Sequence, residues 1–411
     1  MRKNAKKICC LCGKDESILN GSKFIQGKIG YVCSSCIKEA VTVLDEEDEE
    51  DGANKQDIHM KATPSQIKLH LDQYVIGQGE AKRTLAVAVY NHYKRINRKV
   101  KSTDVEVQKS NVLMLGSTGS GKTYLVQSLA KYLDVPFTIA DATALTEAGY
   151  VGEDVENILQ RLLEAAGYDA KLAEQGIVYI DEIDKIARKA ENNSVTRDIS
   201  GEGVQQALLK IIEGTVSSVP ICGGKNQTNC PTSSIDTSNI LFICGGAFDG
   251  LELMINENSN SIGFQTVATP TDENDRTLKN IEPQDIVKYG LMPEFVGRLP
   301  IITTLQPLSE DDLCKILTEP KNALVKQYQS LLAIDGIKLV FQPDALTKIA
   351  TLASQRGTGA RGLRSIIEKS MRNVMYEIPD IKGAKKVVIT SRVIDGTEQA
   401  IIYGSKNIKI A

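Results

Sequence analysis

A phosphate-binding loop places the strongest constraint on how this chain can fold. Residues 116–123 read GSTGSGKT, match the pattern GxxxxGK[ST] and directly follow the apolar run Val112–Leu115. Apolar residues then recur at helical spacing from Leu125 to Ala130, so the strand–loop–helix context of this motif is present. Its glycines let backbone N–H groups surround phosphates at a helix N-terminus, where Lys122 would reach the β- and γ-phosphates of ATP and Thr123 would hold Mg²⁺. The predicted nucleotide-binding residues of this loop are Gly116, Ser117, Thr118, Gly119, Ser120, Gly121, Lys122, Thr123 and Tyr124.

Two carboxylates end a second apolar run. Ile177–Ile180 is followed directly by Asp181 and Glu182. In a P-loop enzyme an aspartate at a strand end can complete the Mg²⁺ shell, and the glutamate after it is placed to polarise the attacking water. A carboxylate pair on a solvated loop is the alternative. The phosphate-binding loop upstream favours ATP hydrolysis, with Lys122, Asp181 and Glu182 as catalytic residues.

Strand-like and helical patterns alternate along the middle of the chain. Short apolar runs at 112–115, 177–180 and 240–243 are separated by helical spacing at 155–166 and 204–211. This alternation predicts an α/β P-loop module, a parallel sheet with helices on both faces. Two long polar stretches interrupt this part of the chain, at about 223–239 and at about 256–280. We expect each of them to be a functional or disordered loop.

The last quarter of the chain predicts a smaller α+β domain. Helical spacing at Leu313–Leu317 precedes a strand-like run at Ile337–Phe341, and a long helix is expected after Gly362. At the other end, the acidic run Asp45–Asp51 predicts a solvated linker, with an acidic helix surface as the alternative. The predicted domains are 1–44 (zinc-binding), 45–61 (acidic linker), 62–304 (large ATPase domain) and 305–411 (small domain).

Two CxxC pairs predict a zinc site near the N-terminus. Cys9 and Cys12 form the first pair, and Cys33 and Cys36 form the second after twenty intervening residues. Four thiolates at this spacing can surround Zn²⁺ tetrahedrally. A 44-residue unit has little core of its own, so a structural metal would stabilise it. Free buried thiols are the alternative.

Charge and composition exclude several classes of function. Lys and Arg total 49 against 52 Asp and Glu, a net charge of −3, so affinity for nucleic acid or membrane built on net positive charge is not expected. The three histidines all lie at or before His92, which leaves the rest of the chain without imidazole chemistry. The sequence contains no apolar run long enough for a membrane span and no secretory h-region. We therefore expect a cytoplasmic protein.

Several longer segments resemble one family in one order. They read VYIDEIDK, GYVGEDVEN, SGEGVQQALLKIIEGT, PEFVGRLP and GARGLRSIIEKSM. With the four-cysteine module, they are similar to the ClpX family, the AAA+ ATP-dependent unfoldase subunits of the Clp protease, over essentially the whole chain. The resemblance implies a homo-hexameric ring that recognises protein substrates, directly or through adaptors, unfolds them with ATP and threads them into the ClpP peptidase ring.

The resemblance also implies roles for residues outside the two ATPase motifs. Arg298 matches the arginine finger offered to the neighbouring subunit, and Arg361 matches the sensor-2 arginine of the small domain. Val75 and Ile76 match the segment that packs on adenine, although core packing would explain this apolar pair about as well. One departure appears at Cys244, where the strand ends without the usual polar sensor-1 residue.

Two loops carry the family's substrate and partner contacts. Tyr150 and Val151, between glycines, match the pore loop that pushes on substrate polypeptide. The tripeptide Ile262, Gly263 and Phe264 matches the segment that docks into clefts on ClpP, and a loop tip folded back on its own domain is the alternative. Residues 225–227 read Lys-Asn-Gln where family members often carry Arg-Lys-His, so recognition of acidic tags there is expected to be weaker.

A nucleic-acid motor with a zinc ribbon is the competing hypothesis from another class. The near-neutral charge, the aromatic–aliphatic pore tip and the absence of a basic stripe argue against it. The chain also carries neither an HExxH nor a GxSxG motif. We therefore expect an ATPase that is not itself a peptidase.

Overall fold

Five parallel strands form the central sheet of the second of two structural units, which span Met1–His59 and Met60–Ala411. This computed structural model describes residues 8–14, 23–26, 30–37, 62–98, 105, 107–146, 153–188, 201–220, 232–259, 281–381 and 383–404. In these ranges, no helix combines the length and the apolar character needed to cross a membrane.

The strands of the described ranges are β1 (Phe24–Gln26), β2 (Tyr31–Cys33), β3 (Val112–Leu115), β4 (Phe137–Asp141), β5 (Leu145–Thr146), β6 (Glu153–Asp154), β7 (Ile177–Asp181), β8 (Val216–Pro220), β9 (Thr232–Asp236), β10 (Leu241–Gly246), β11 (Ile301–Thr304), β12 (Lys338–Phe341), β13 (Lys386–Ile389) and β14 (Ile401–Tyr403). In the described part of the second unit, the α-helices are α1 (Pro64–Asp72), α2 (Gly79–Ile96), α3 (Lys122–Leu133), α4 (Asn157–Ala165), α5 (Ala170–Ala173), α6 (Glu202–Glu213), α7 (Leu251–Ser259), α8 (Pro283–Tyr289), α9 (Pro293–Gly297), α10 (Glu310–Thr318), α11 (Leu324–Ile334), α12 (Pro343–Gln355), α13 (Gly359–Glu377) and α14 (Ser391–Asp395).

The central sheet has the order β11-β3-β10-β7-β4, and every neighbouring pair is parallel. Successive residues of β3 and β7 face opposite sides of the sheet, yet all four residues of β3 and the first four of β7 are buried. Both faces are therefore covered, as expected of a parallel sheet. The predicted α/β fold class is confirmed.

This topology places the phosphate-binding loop and the paired carboxylates at one edge of the sheet. The loop follows the carboxyl end of β3, and Asp181 is the last residue of β7. Strand β10 lies between them and ends in Gly245 and Gly246, which carry no side chains. Groups on β7 can therefore reach toward α3 across the end of β10.

A second apolar core lies beyond β11. Its buried residues extend from Leu313 to Ile402, separate from the cluster around the central sheet. Here β12 and β13 are parallel, β14 is antiparallel to β13, and α12 packs against α10 and α13. The predicted small α+β domain is confirmed, whereas the exact domain boundaries stay predictions.

Three local expectations differ from the structure. The helical spacing that starts at residue 155 corresponds to a helix that begins at Asn157, after Glu153–Asp154 has paired with β5 as a short strand. The long helix begins at Gly359 rather than after Gly362. The polar stretch near 223–239 is not structureless throughout, since β9 pairs antiparallel with β8 and buries Ile235.

Candidate nucleotide and zinc sites

A cavity of about 490 Å³ lies between the phosphate-binding loop and the small domain. Cavities of this size are typical of small-molecule sites. Its walls come from the segment after α1, the loop with the start of α3, the end of β7, and α10, α11 and α13. Gly116 and Ser117 instead line an adjacent cavity of about 190 Å³. The sequence-predicted residues that line the larger cavity are Val75, Ile76, Thr118, Gly119, Ser120, Gly121, Lys122, Thr123, Tyr124, Asp181, Glu182 and Arg361.

Glycine is required where the loop touches the small domain. Gly119 has φ +84°, in the left-handed region, and a Cβ atom there would lie 2.6 Å from the carbonyl oxygen of Thr358. The N–H of Ala360 donates to the carbonyl of Gly119 over 3.3 Å. The first N–H groups of α3, from Lys122 onward, have no intrahelical acceptor, so they can bind an anion.

Lys122 lies at the base of the loop and is only 8% exposed. Its ammonium donates to the carbonyl oxygens of Gly116 and Ser117, the latter over 3.2 Å. Burial lowers the pKa of Lys122, and the nearby carboxylate of Asp181 opposes this effect. A phosphate in the cavity would provide the negative charge that favours the protonated form.

Thr123, Asp181 and Glu182 form the oxygen-rich end of the cavity. The hydroxyl of Thr123 donates to Oδ2 of Asp181 over 2.7 Å, and the N–H of Glu182 donates to Oδ1 over 3.0 Å. Glu182 has φ +56°, a conformation that costs a non-glycine residue about 1 kcal/mol or more and often marks a functional site. The hydroxyl and carboxylate oxygens are the donor types that Mg²⁺ prefers, so these residues fit the metal.

Asp184 is a site residue that the sequence analysis did not single out. It is 5% exposed and lines the cavity. Its Oδ1 accepts from the N–H of Ala247 over 3.1 Å, which holds the turn after β10, and its Oδ2 lies 3.1 Å from Nζ of Lys185. The sequence feature that could have indicated Asp184 is the segment VYIDEIDK, in which Asp184 follows Asp181 by three positions.

Small-domain residues complete the cavity on its far side. Arg361 and Arg364 are three residues apart on α13 and both line it. Arg364 carries no such signal in the sequence. Its Nε lies 3.1 Å from Oε1 of Glu368 in an exposed i, i+4 pair that resembles an ordinary surface contact. A second link joins the hydroxyl of Tyr124, on α3, to the side-chain amide of Asn322 over 2.9 Å.

A buried lysine fixes the wall predicted to contact adenine. The ammonium of Lys82 donates to the carbonyl of Val75 over 2.6 Å and to Oδ1 of Asp72 over 2.7 Å. Lys82 is 2% exposed, and Val75 is itself buried. Ile76 lies beside it, and Leu308 of the small domain also lines the cavity. The apolar pair therefore lines the cavity and is not solely part of the core.

Arg298 does not line this cavity. It follows α9, its side chain is 54% exposed, and its Nε lies 2.9 Å from Oε1 of Glu213. An exposed ion pair of this kind contributes little to stability, so Glu213 can release the guanidinium at low cost. The side chain of Arg298 is therefore exposed and lies away from the cavity of its own chain.

The four cysteines of the first unit converge. The sulfur atoms of Cys9, Cys12, Cys33 and Cys36 all lie within 4.8 Å of one another, and Cys12 and Cys33 Sγ are 3.8 Å apart. Tetrahedral zinc with Zn–S bonds of about 2.3 Å separates its sulfurs by about 3.8 Å. Within the chain's first unit, Gly13 at φ +72° donates its N–H to the carbonyl of Cys9 and closes the turn of the first pair.

The thiols of this cluster perturb one another. Hydrogen bonds from the backbone of Cys12 and Cys33 lower the pKa of Cys9 to about 6. Side-chain hydrogen bonds to Cys12 and Cys33 raise the pKa of Cys36. Four sulfurs this close cannot all ionise readily unless a cation balances their charge. The donor set therefore fits Zn²⁺ as a structural metal.

Two predicted sites fall outside the described residues. The pore pair Tyr150 and Val151 lies there, as does the docking tripeptide Ile262, Gly263 and Phe264. The segment Lys225–Gln227 lies outside them as well. These assignments stay predictions.

Comparison with known proteins gives matches along nearly the whole chain. Residues 107–302 match the family described as "AAA domain (Cdc48 subfamily)", and residues 308–386 match "C-terminal, D2-small domain, of ClpB protein". Two curated relatives are each 52% identical over 410 residues, which cover 98% of this chain and 95% of the relative. Both are named "ATP-dependent Clp protease ATP-binding subunit ClpX", one from Borrelia duttonii (strain Ly) and the other from Borrelia recurrentis (strain A1).

Proposed function

The chain belongs to the ClpX family of ATP-binding subunits of the ATP-dependent Clp protease, and from this premise we propose that it unfolds protein substrates with ATP and threads them into the ClpP peptidase. The observation that carries the proposal is the hydrogen bond between Thr123 and Asp181, with Glu182 beside it. These groups lie at one end of a cavity that the small domain completes with Arg361. A site divided between two domains can convert a change of nucleotide into a change of domain angle.

Each residue of the site has a distinct role in this proposal. Lys122 and the N–H groups at the start of α3 bind the phosphates of ATP. Thr123 and Asp181 would hold Mg²⁺, which, when bound, offsets the negative charge of the phosphates. Glu182 accepts a proton from the attacking water and orients it. Arg361 contacts the nucleotide from the small domain.

Arg298 acts on a neighbouring subunit in this proposal. Its exposed guanidinium lies outside the subunit's own cavity and pairs with Glu213. A guanidinium from a second copy would complete the charge stabilisation around the γ-phosphate. We therefore propose a homo-hexameric ring in which each site is completed by the adjacent subunit.

Substrate and partner contacts lie in the two loops that the sequence singled out. Tyr150 and Val151 grip the polypeptide in the pore through bulk and apolar surface, which tolerates many sequences. Ile262, Gly263 and Phe264 dock on ClpP, and substrates or adaptors are chosen with little help from the single cation of Lys225–Gln227. We place the protein in the cytoplasm, where the four cysteines would remain reduced and hold structural Zn²⁺.

The nucleic-acid motor is not favoured. The relatives at 52% identity carry the protease-subunit name, and the net charge of −3 provides no general affinity for a phosphate backbone. The first test is ATP turnover by the purified chain, which should require Mg²⁺, increase with a protein substrate and disappear in Lys122→Ala. Strong stimulation by DNA or RNA, without a response to protein, would favour the motor instead.

A further inference from the structure

A buried tyrosine contacts the carboxylate at the centre of the nucleotide site. The hydroxyl of Tyr179 donates to Oδ1 of Asp181 over 3.2 Å. The two residues are two positions apart on β7, so they face the same side of the sheet. Asp181 therefore accepts from three donors, namely Tyr179, the N–H of Glu182 and the hydroxyl of Thr123.

A glycine on the neighbouring strand β10 leaves room for the phenol of Tyr179. Tyr179 pairs in register with Ile243 of β10, so Gly245, two residues later, faces the same side. A Cβ atom on Gly245 would overlap the Tyr179 hydroxyl and approach Cζ of its ring to 2.8 Å. Any side chain at position 245 would therefore displace the phenol.

Strand β10 itself brings no polar side chain to this place. Cys244 lies on the opposite face, where it is fully buried and belongs to the same apolar core as Ile180. Burial raises the pKa of Cys244, so its thiol remains neutral. The hydroxyl of Tyr179 thus lies beside Gly245 of β10 and contacts the Asp181 carboxylate of its own strand.

We propose that Tyr179 is a positioning residue that holds the Asp181 carboxylate in place for Mg²⁺-bound nucleotide, and that Gly245 is glycine because it must admit the phenol. This inference rests on the proposed ATPase function. The hydroxyl orients one carboxylate oxygen while Thr123 contacts the other, which limits rotation of the group before the metal arrives.

A buried tyrosine also needs a partner for its hydroxyl on stability grounds alone, so the test must separate stability from metal positioning. Tyr93 is a matched control, because it is fully buried and its hydroxyl donates to the carbonyl of Gln175 over 3.0 Å. Tyr93→Phe and Tyr179→Phe each remove one oxygen atom from a buried ring. Only the second removes a contact to the Mg²⁺ site.

The experiment measures binding of AMP-PNP, a non-hydrolysable ATP analogue, in EDTA and across a Mg²⁺ titration. In EDTA, we expect Tyr179→Phe to bind AMP-PNP with an affinity within about twofold of the wild type. The factor by which Mg²⁺ increases the affinity for AMP-PNP should be about tenfold smaller in Tyr179→Phe than in the wild type, since one hydrogen bond to a charged group is lost. Tyr93→Phe should match the wild type in both conditions. Gly245→Ala, which keeps the hydroxyl but displaces it, should reproduce the Tyr179→Phe defect.

An unchanged Mg²⁺ effect in folded Tyr179→Phe would overturn the inference, as would an equal defect in Tyr93→Phe. ATP hydrolysis by the wild-type chain, measured in parallel, separates this result from a failure of the proposed function. A wild type that hydrolyses ATP while Tyr179→Phe binds Mg²⁺-AMP-PNP normally contradicts only the role of Tyr179. A wild type without ATP turnover contradicts the proposed function itself.

Discussion

Gln78 and Gln306 exchange two hydrogen bonds across the junction between the two apolar cores. The side-chain amide of Gln78 donates from Nε2 to the Gln306 carbonyl over 2.8 Å and accepts at Oε1 from the Gln306 N–H over 2.9 Å. Gln78 is 8% exposed and has φ +54°, so its position is closely defined. The wall that contains Val75 is therefore tied to the segment between β11 and α10. A movement of that segment would therefore shift the wall of the nucleotide cavity that contains Val75.

Gln78→Ala should weaken the coupling between ATP use and unfolding. It leaves both backbone groups of Gln306 without this partner, so we expect the free energy of unfolding to fall by about 1–3 kcal/mol. Substrate molecules unfolded per ATP hydrolysed should fall as well. Gln329→Ala is the control, because its amide donates to the carbonyl of Leu339 inside the small domain. An equal loss of coupling in both variants would contradict a special role for the Gln78 contact.

Glu182→Gln should separate nucleotide binding from hydrolysis. The amide keeps the size of the side chain but cannot accept a proton, so turnover should fall about 100-fold or more. ATP affinity should change little, because Lys122 and the loop N–H groups remain. Turnover and equilibrium binding are measured with Glu164→Gln as an exposed control on α4. Near-normal turnover in Glu182→Gln would remove this residue from the mechanism.

Arg298 should act between subunits. Arg298→Ala should reduce ATP turnover about 1,000-fold and leave nucleotide affinity nearly unchanged, since the side chain lies outside its own cavity. Arg392→Ala, which removes another exposed ion pair, is the control.

Mixing two inactive variants tests the direction of this contact. Rings that combine Arg298→Ala with Lys122→Ala contain some interfaces with an intact loop on one side and an intact arginine on the other. ATP turnover should therefore reappear on mixing. If crosslinking shows that the subunits mix and turnover stays absent, the arginine does not act between subunits.

Zinc removal should affect the first unit alone. A chelator should remove one Zn²⁺ per chain and unfold the cluster of Cys9, Cys12, Cys33 and Cys36, while ATP turnover by the second unit continues. Cys33→Ser should lose the metal, and Cys10→Ser should keep it, because Cys10 is exposed and outside the cluster. Zinc affinity should fall as the pH decreases, since protons compete for thiols such as Cys36, whose pKa is raised. Loss of basal turnover on chelation would contradict this independence.

The sequence predicts those parts of the site whose residues are close together in the chain. The loop before Lys122 and the pair Asp181–Glu182 each follow an apolar run, so local pattern and motif chemistry agree. The link between Gln78 and Gln306 spans 228 positions and carries no local signal. Arg364 was missed for the same reason, because only the packing of α13 places it at the cavity.

The elements of the fold also differ in whether local sequence predicts them. The four residues of β3 and the first four of β7 form uninterrupted buried runs, and the sequence predicts both strands closely. The hairpin of β8 and β9 was not, because Val216–Pro220 and Thr232–Asp236 are rich in serine and bury only one residue each. Their pairing is set by tertiary register, which composition does not encode.

The most direct test of the account is loss of fluorescence from a folded, tagged fluorescent protein, followed together with peptide release. We expect fluorescence loss to require this chain and ATP, and peptide release to require ClpP as well. The Lys122→Ala variant should cause neither fluorescence loss nor peptide release. ATP turnover that leaves the folded protein intact, with or without ClpP, would contradict the central claim that hydrolysis at this site drives unfolding.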